Sequence, residues 1–261
     1  MSDLLPEPAG ALGDPVVLLH GLGRSKLAML PLAFRLAAAG YTPINVGYFG
    51  PAGLARSIER VSGELEERLE PHAGRPVHFV THSMGGIVAR GYLAGAGAAL
   101  PAGRLVQLVP PNQGAWLADT VRRAPLLGKV PALRDLGVEE DGLRAPVPPL
   151  QSWEVGVIAG RSFGPWHGEH RNDGVVRIAE TYLPEARDWI LVDHFHTVVM
   201  AARDTWEHVL SFLRTGRFGD QAARLVRAED GEVSVVAADG QRAPLGAQPG
   251  PDAPEAQDSG E

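Results

Sequence analysis

A serine lies at the junction of a predicted strand and a predicted helix. Val77–Val80 is a short apolar run typical of a buried strand, and Gly85–Leu93 is typical of a helix. Ser83, in the turn between them, would hold its hydroxyl clear of the sheet at the positive end of the helix, where a negatively charged oxygen is stabilised. The arrangement predicts a nucleophilic serine. The alternative is a serine that only caps the helix.

The turn Thr81-His82-Ser83-Met84-Gly85 departs from the nucleophile pattern G-x-S-x-G at one position. Thr81 stands where the first glycine is usual, whereas Gly85 supplies the second. Small residues are needed around the serine because the backbones of the strand and the helix nearly touch there. Thr81 is larger than glycine but modest in size, so we expect the turn to form, with His82 packed beneath it.

A serine hydroxyl is a poor nucleophile at neutral pH, so it needs a base, and the base needs an acid to orient it. Open α/β sheets bind ligands at the carboxyl ends of their strands. Asp173 follows the fifth predicted strand, and His194 and His196 both follow the sixth. The two histidines compete for the role of base. The alternative for Asp173 is an aspartate that bonds only its own turn.

Negative charge on a substrate oxygen must be held by N–H donors, each contributing about 3 kcal/mol. The Met84 N–H, directly after the serine, is one candidate, and the Leu22 N–H, in the loop after the first strand, is the other. These two groups form the predicted oxyanion hole.

Composition limits the classes of function. The chain has 261 residues, a net charge of −7 and no cysteine. A general nucleic-acid surface is not expected at this charge, and neither disulfides nor cysteine chemistry are available. There is no basic helix for an anionic membrane, no secretory signal and no stretch long enough to cross a bilayer, so we expect a cytoplasmic protein without a stable membrane anchor. The pattern does not indicate an oligomeric state.

Apolar runs that do not alternate with polar residues predict strands covered on both faces. These strands alternate with helices, which predicts a parallel sheet with right-handed crossovers. The predicted strands cover Val16–Leu19, Tyr41–Tyr48, Val77–Val80, Arg104–Val109, Trp153–Gly160 and Asp188–Val192. The first predicted helix covers Lys26–Ala39, with Leu27, Leu30, Leu32, Phe34 and Leu36 on its buried side.

The domain organisation follows from these elements. Residues 1–13 are predicted to be loose, 14–218 to form the α/β domain, 219–241 to be a short extension with a hairpin, and 242–261 to be disordered. Residues 115–150 contain several prolines and short amphipathic pieces, which indicates a cap inserted over the sheet. This cap would be either a mobile lid or packed core.

The sequence does not support a metal site or a nucleotide site. His167, Glu169 and His170 near Asp173 could suggest a metal site, but the spacing is irregular and a polar loop is the preferred interpretation. The glycines of the first loop lack the third glycine of a nucleotide-binding pattern, because that position is Lys26. We therefore predict no metal and no cofactor.

Four sequence pieces at strand ends, in the same order along the chain, carry a family resemblance. They are His20-Gly21-Leu22-Gly23, Thr81-His82-Ser83-Met84-Gly85-Gly86, Asn172-Asp173-Gly174-Val175-Val176 and His196. Together they resemble the α/β-hydrolase superfamily, and most closely its bacterial lipase and esterase branch, from about residue 14 to 218. Residues 110–114 also resemble a Pro-Asn-x-Gly stretch of bacterial lipases.

The resemblance implies a minimal α/β-hydrolase fold, with six mostly parallel strands in the order 2-1-3-4-5-6, helices on both faces and an inserted cap. It implies Ser83, His196 and Asp173 as the catalytic residues, with Asp119 as a rival acid. The further pocket candidates are His20, Gly21, His82, Asn112, Trp116 and His194.

The activity implied by the resemblance is hydrolysis of carboxylic esters through an acyl-enzyme, without a cofactor, on a small-molecule ester or lipid-like substrate. Acyl transfer and cleavage of thioesters or amides could use the same residues. A catalytically silent α/β-hydrolase acting as a binding protein is a further alternative.

Overall fold

Six parallel strands form the central sheet of the computed structural model, which describes residues 13–138, 149–162 and 172–219 and three short strands beyond them. The strands are β1 Pro15–Leu19, β2 Thr42–Val46, β3 Val77–His82, β4 Ala102–Leu108, β5 Glu154–Gly160 and β6 Asp188–Val192. Their order in the sheet is β2-β1-β3-β4-β5-β6, and every pairing is parallel. The predicted fold class and strand order are confirmed.

Helices cover both faces of this sheet. They are α1 Leu30–Ala38, α2 Leu54–Leu69, α3 Met84–Ala94, α4 Trp116–Arg122, α5 Pro131–Asp135 and α6 Arg203–Thr215. Along β1, Val17 and Leu19 join the core that includes α2 and α3, whereas Val16 and Leu18 join the core that includes α1 and α6. Because both faces are buried, the strand is apolar at every position, as a parallel sheet requires.

The predicted first helix is wrong in its start and in part of its buried face. Lys26–Met29 forms a 3-10 turn, and the α-helix begins only at Leu30. A 3-10 turn has three residues per turn rather than 3.6, so the apolar stripe is shifted. Leu27 and Phe34 are 55% and 45% exposed, while Met29 and Ala33 are buried in their place.

The described part of the predicted cap contains α4 and α5. Both helices contribute to the buried core that also includes α2 and α3. Their buried residues are Ala118 from α4, and Ala132 and Leu136 from α5 and its C-terminal end. Asp135 accepts a hydrogen bond from the backbone N–H of Leu54 at 2.8 Å, which joins α5 to the start of α2. These two helices are packed against the domain, and residues 139–148 of the cap lie outside the described residues.

Three antiparallel strands follow the domain. β7 Arg224–Arg227 pairs with β8 Val233–Val236, which places a hairpin where the sequence predicts one. β9 Arg242–Pro244 then pairs with the other edge of β8. The prediction of disorder from residue 242 is therefore wrong for these three residues, because strand pairing supplies backbone hydrogen bonds that composition does not reveal.

None of the helices formed by the described residues has the length and the apolar character that are needed to cross a membrane.

Candidate active site

Ser83 is held in a strained turn between β3 and α3. Its backbone has φ 53° and ψ −126°, a conformation that residues other than glycine rarely adopt. Its N–H donates to the carbonyl of Leu108 at 2.8 Å, and its carbonyl accepts from the N–H of Gly86 at 2.9 Å. These bonds fix the turn, which places Ser83 at the N-terminus of α3 as the sequence predicts.

Close contact between α3 and the sheet explains the small residues after Ser83. A Cβ atom added to Gly85 would lie 2.6 Å from the carbonyl oxygen of Leu19 and 2.8 Å from that of His20. Such distances are impossible for a carbon atom against a backbone oxygen. Thr81 lies farther from this contact between helix and sheet. It is the last-but-one residue of β3, and its hydroxyl donates to the carbonyl of Val106 at 3.3 Å. The threonine is thus compatible with the turn.

His196 and Asp173 meet in a buried hydrogen bond. His196 Nδ1 lies 2.7 Å from Asp173 Oδ2, and the His196 backbone N–H donates to the Asp173 carbonyl at 2.9 Å. The other carboxylate oxygen, Oδ1, accepts from the backbone N–H groups of Val175 and Val176 at 2.9 and 2.7 Å. Asp173 therefore does both things that the sequence offered as alternatives: it orders its own turn and it bonds the histidine.

His82 contacts both the backbone and the ring of His196. Its Nε2 lies 2.8 Å from the His196 carbonyl, and the two ring centres are 4.8 Å apart. Burial, and after it the neighbouring charge of His196, lowers the pKa of His82 to about 3. The ring is therefore neutral, and since a carbonyl can only accept, Nε2 carries the proton. This bond fixes the backbone of the segment that carries His196.

His20 orders the loop that carries Leu22. Its ring stacks on Tyr48 with centres 4.4 Å apart, and its Nε2 accepts from the Tyr48 N–H at 3.4 Å. Its Nδ1 then carries the proton and donates to the Gly21 carbonyl at 2.9 Å, and Tyr48 donates its hydroxyl proton to the His20 carbonyl. Gly21 is needed where it is, because a Cβ atom there would lie 2.7 Å from His82 Nδ1. His20 and Gly21 thus shape the loop.

An apolar cavity of about 270 Å³ joins these elements. Ser83, His82, His196 and Leu22 lie on one side of it. Its apolar walls come from α4, α5 and the segment after Asp173, and include Leu117, Val121, Leu133, Leu136, Val175 and Val176. Met84 lies outside this lining, with a fully buried side chain, but its backbone directly follows Ser83 at the first position of α3. An apolar cavity beside a serine and a histidine suits an acyl chain next to a reacting carbonyl.

Comparison with known proteins is consistent with this geometry. A model of the Alpha/beta hydrolase family matches residues 16–251. The chain belongs to this family. The predicted resemblance to α/β-hydrolases is thereby confirmed. No curated protein sequence matches the chain.

Solved structures similar to this α/β-hydrolase are bacterial or metagenomic lipases and esterases. Bacillus licheniformis lipase BlEst2 in its mature form has a TM-score of 0.64 and 22% identity, covering 81% of this chain and 96% of that one. A metagenomic carboxyl esterase has a TM-score of 0.53 and 19% identity, covering 76% and 69%. A thermophilic esterase from Thermogutta terrifontis has a TM-score of 0.54 and 15% identity, covering 78% and 91%. At these identities the likeness establishes the fold alone.

Of the six predicted pocket residues, His82 lines the cavity and the other five do not. His20 and Gly21 belong to the loop that carries Leu22, and the remaining three make contacts elsewhere. His194 Nε2 lies 2.7 Å from Asp204 at the start of α6, because residues 193–196 bend and turn after β6 instead of continuing it. Asn112 is buried and donates to the Gln107 side chain at 3.0 Å, bracing a loop. Trp116 is half exposed, with its ring 4.5 Å from the Arg177 guanidinium. These three side chains therefore contact other parts of the domain rather than this cavity.

Asp119, the rival acid, lies in the cap. Its carboxylate accepts from the Val138 N–H at 2.7 Å and pairs with Arg122 at 3.0 Å, and it is buried. Both oxygens are thus used to hold the end of the α4–α5 segment. Asp173 is the acid that contacts the histidine.

Sequence reasoning missed one buried acid beside the site of the α/β-hydrolase. Glu180 Oε1 accepts from the Trp116 N–H and Oε2 from the Arg177 N–H, each at 2.8 Å. Burial raises the pKa of Glu180 to about 7, although both N–H groups and the Arg177 charge oppose the shift. The three-residue spacing from Arg177 to Glu180 is that of a capping box, which could have indicated this carboxylate. Glu180 ties the start of α4 to the loop that follows Asp173.

The raised pKa of Glu180 predicts how the stability of the protein changes with pH. An acid whose pKa is raised on folding favours the folded state below its unfolded pKa, and this contribution is lost as the pH rises through the folded pKa. With a shift from 4.5 to about 7, the free energy of unfolding should fall between these pH values by about 3 kcal/mol. Glu180→Gln cannot titrate. Urea unfolding at pH 5 and 7.5 should show the wild type losing stability relative to Glu180→Gln, and a difference independent of pH would contradict this origin.

No cluster of three or more metal-binding side chains occurs within the described parts of the chain. The irregular metal-site pattern noted in the sequence falls outside those parts, since it comprises His167, Glu169 and His170.

Proposed function

We propose that the protein is a serine hydrolase that cleaves carboxylic esters through a Ser83-His196-Asp173 triad and an acyl-enzyme. The observation that carries the proposal is the buried 2.7 Å contact of His196 Nδ1 with Asp173, beside the apolar cavity that Ser83 lines. The strained backbone of Ser83 supports it, since strain in a folded protein concentrates at functional sites. Family membership and lipase-like folds agree with this chemistry.

The roles of the three side chains follow from their chemistry. His196 Nε2, the ring nitrogen that does not contact Asp173, takes the proton of Ser83 as its oxygen attacks the acyl carbon. Asp173 keeps the proton of the imidazole on Nδ1 and stabilises the imidazolium that forms. The N–H groups of Leu22 and Met84 hold the negative oxygen of the tetrahedral intermediate.

The intermediate then collapses and the substrate's alcohol leaves with the proton from His196. A water molecule takes its place, loses a proton to the same histidine and attacks the acyl-enzyme, which releases the acid and restores Ser83. An alcohol or amine in place of that water would give acyl transfer. The apolar walls from α4 and α5 favour an acyl chain or similar apolar group in the cavity.

Labelling with a fluorophosphonate tests the proposal, because this probe reacts only with an activated serine. The wild type should be labelled, Ser83→Ala should not, and His196→Ala should react far more slowly. His194→Ala is the matched control and should label like the wild type, since His194 contacts Asp204 instead of the cavity. A folded wild type that resists the probe would favour a silent binding protein.

Asp173→Asn should lower kcat for a p-nitrophenyl ester by on the order of 10³–10⁴, because an amide can hold the imidazole in the wrong tautomer. The matched control is Asp119→Asn, a change at a second buried aspartate whose contacts lie in the cap. That variant should lose stability, measured by urea unfolding, with a much smaller effect on kcat. Equal losses of kcat in the two variants would contradict the assignment of Asp173.

A further inference from the structure

A second depression adjoins the apolar cavity. It is a groove of about 560 Å³ between the loop after β1, the segment after β2 and the start of α2. The loop after β1 contributes to both spaces: Leu22 lines the cavity, Ser25 lines the groove, and Arg24 lines both. The two spaces therefore share Arg24, and a substrate that reached from Ser83 past this side chain would enter the groove.

The groove carries positive charge in a protein that is negative as a whole. Arg24, Arg56 and Arg60 line it, and none of the described residues in its lining is acidic, whereas the chain has a net charge of −7. Arg60 is partly neutralised by Glu64 at 3.2 Å. The side chains of Arg24 and Arg56 form no hydrogen bond or ion pair among the described residues, so two guanidinium groups remain available to a ligand.

An exposed arginine usually contacts only solvent. Two observations separate Arg24 from that case. It lies in the loop that carries the Leu22 N–H, two residues along the chain, and its charge reaches His82, where it adds to the effects of burial and of His196 in lowering the pKa. Beside it, Phe49 is 73% exposed on the groove wall, an apolar surface next to two free cations.

We propose that this hydrolase prefers esters with one apolar arm and one anionic arm. The apolar arm fills the cavity under α4 and α5, and a phosphate or carboxylate on the other arm binds Arg24 and Arg56. A guanidinium group suits both anions because its planar N–H donors match their oxygen pairs. This inference rests on the proposed ester hydrolysis at Ser83, and it names the class of substrate for that site.

Two pairs of soluble substrates test it and separate the sources of the anion. The first pair is octanoyl glycerol phosphate against neutral octanoyl glycerol, which places the charge on the alcohol. The second is octyl hydrogen succinate against octyl butyrate, which places it on the acid. For at least one pair, kcat/KM for the anionic ester should exceed that for the neutral one about tenfold, and this ratio should fall as salt is added. Ratios near one in both pairs would overturn the proposal.

Variants assign the preference to the groove. Arg24→Gln and Arg56→Gln should each reduce the anionic-to-neutral ratio about tenfold, the effect of losing one hydrogen bond to a charged group. Arg203→Gln is the matched control, because Arg203 is an exposed arginine at the start of α6 and pairs with Glu207 at 2.9 Å. An anionic preference that both groove variants retain would also overturn the proposal.

A binding measurement distinguishes failure of this inference from failure of the proposed function. Calorimetry with octanoyl glycerol phosphate and octyl hydrogen succinate on Ser83→Ala does not require turnover. Binding of either ester that weakens about tenfold on adding Arg24→Gln supports the groove even if the wild type resists fluorophosphonate. If the wild type is labelled but Arg24→Gln changes neither binding nor rates, the hydrolase proposal stands and the proposal of an anionic arm is overturned.

Discussion

Replacing Ser83 by glycine should abolish ester hydrolysis and at the same time raise the free energy of unfolding by about 1 kcal/mol. The activity is lost with the nucleophile, by a factor on the order of 10⁴ or more. Stability rises because the backbone of Ser83, at φ 53°, is costly for every residue except glycine. Part of that gain is offset by the greater freedom of glycine in the unfolded chain.

Ser83→Ala is the matched control for this experiment. It removes the same hydroxyl but keeps a Cβ atom in the same strained backbone, so it should be equally inactive without the gain in stability. Urea unfolding of the three proteins and rates with a p-nitrophenyl ester measure both quantities. Equal stabilities of the glycine and alanine variants would mean that the turn stores no strain that the glycine releases.

Gly85→Ala should have the largest effect on the fold, a loss of about 3 kcal/mol or more. The new methyl group would lie within 2.6–2.8 Å of the carbonyl oxygens of Leu19 and His20. Backbone atoms inside a sheet cannot turn aside as a flexible side chain can, so α3 must move away from β1. Because α3 begins directly after Ser83 and the Leu22 loop continues β1, this movement should also separate the serine from Leu22 and reduce kcat/KM.

The same substitution in another helix should act in the opposite direction. Gly63 lies within α2, is exposed, and has no atom within 4 Å of an added Cβ. Gly63→Ala should therefore stabilise the protein by about 1 kcal/mol, through the better helix propensity of alanine. Thermal unfolding of both variants beside the wild type tests the pair. Similar melting temperatures for all three would contradict the close packing of α3 on β1.

The sequence predicted the position of the site because its residues follow strands. In a parallel sheet all carboxyl ends lie on one edge, so Ser83, Asp173 and His196 could be placed together from their positions after three strands. Gly85 signalled the close approach of helix and sheet by its lack of a side chain. The choice of His196 over His194, by contrast, depended on the family resemblance.

Contacts made by irregular segments could not be predicted in the same way. Glu180 reaches the start of α4 only because a short 3-10 turn follows the Asp173 loop, and no periodic pattern encodes that path. Asn112 and Trp116 follow β4 at the edge of the sheet that carries the site, but Asn112 bonds Gln107 and the Trp116 ring lies against Arg177. Arg24 belongs to no recognisable sequence motif. Its position in the lining of the groove depends on how β1, β2 and α2 are placed relative to one another.

The contact between His82 and His196 joins residues 114 positions apart in the chain. Native contacts with such long separations close large loops and make folding slow. During synthesis the turn around Ser83 can form well before β6 exists. Under the proposed mechanism, however, the serine is activated only when the segment that carries His196 has docked. We therefore expect reactivity towards fluorophosphonate to return last during refolding, after the secondary structure, because it requires the sheet to be complete up to β6.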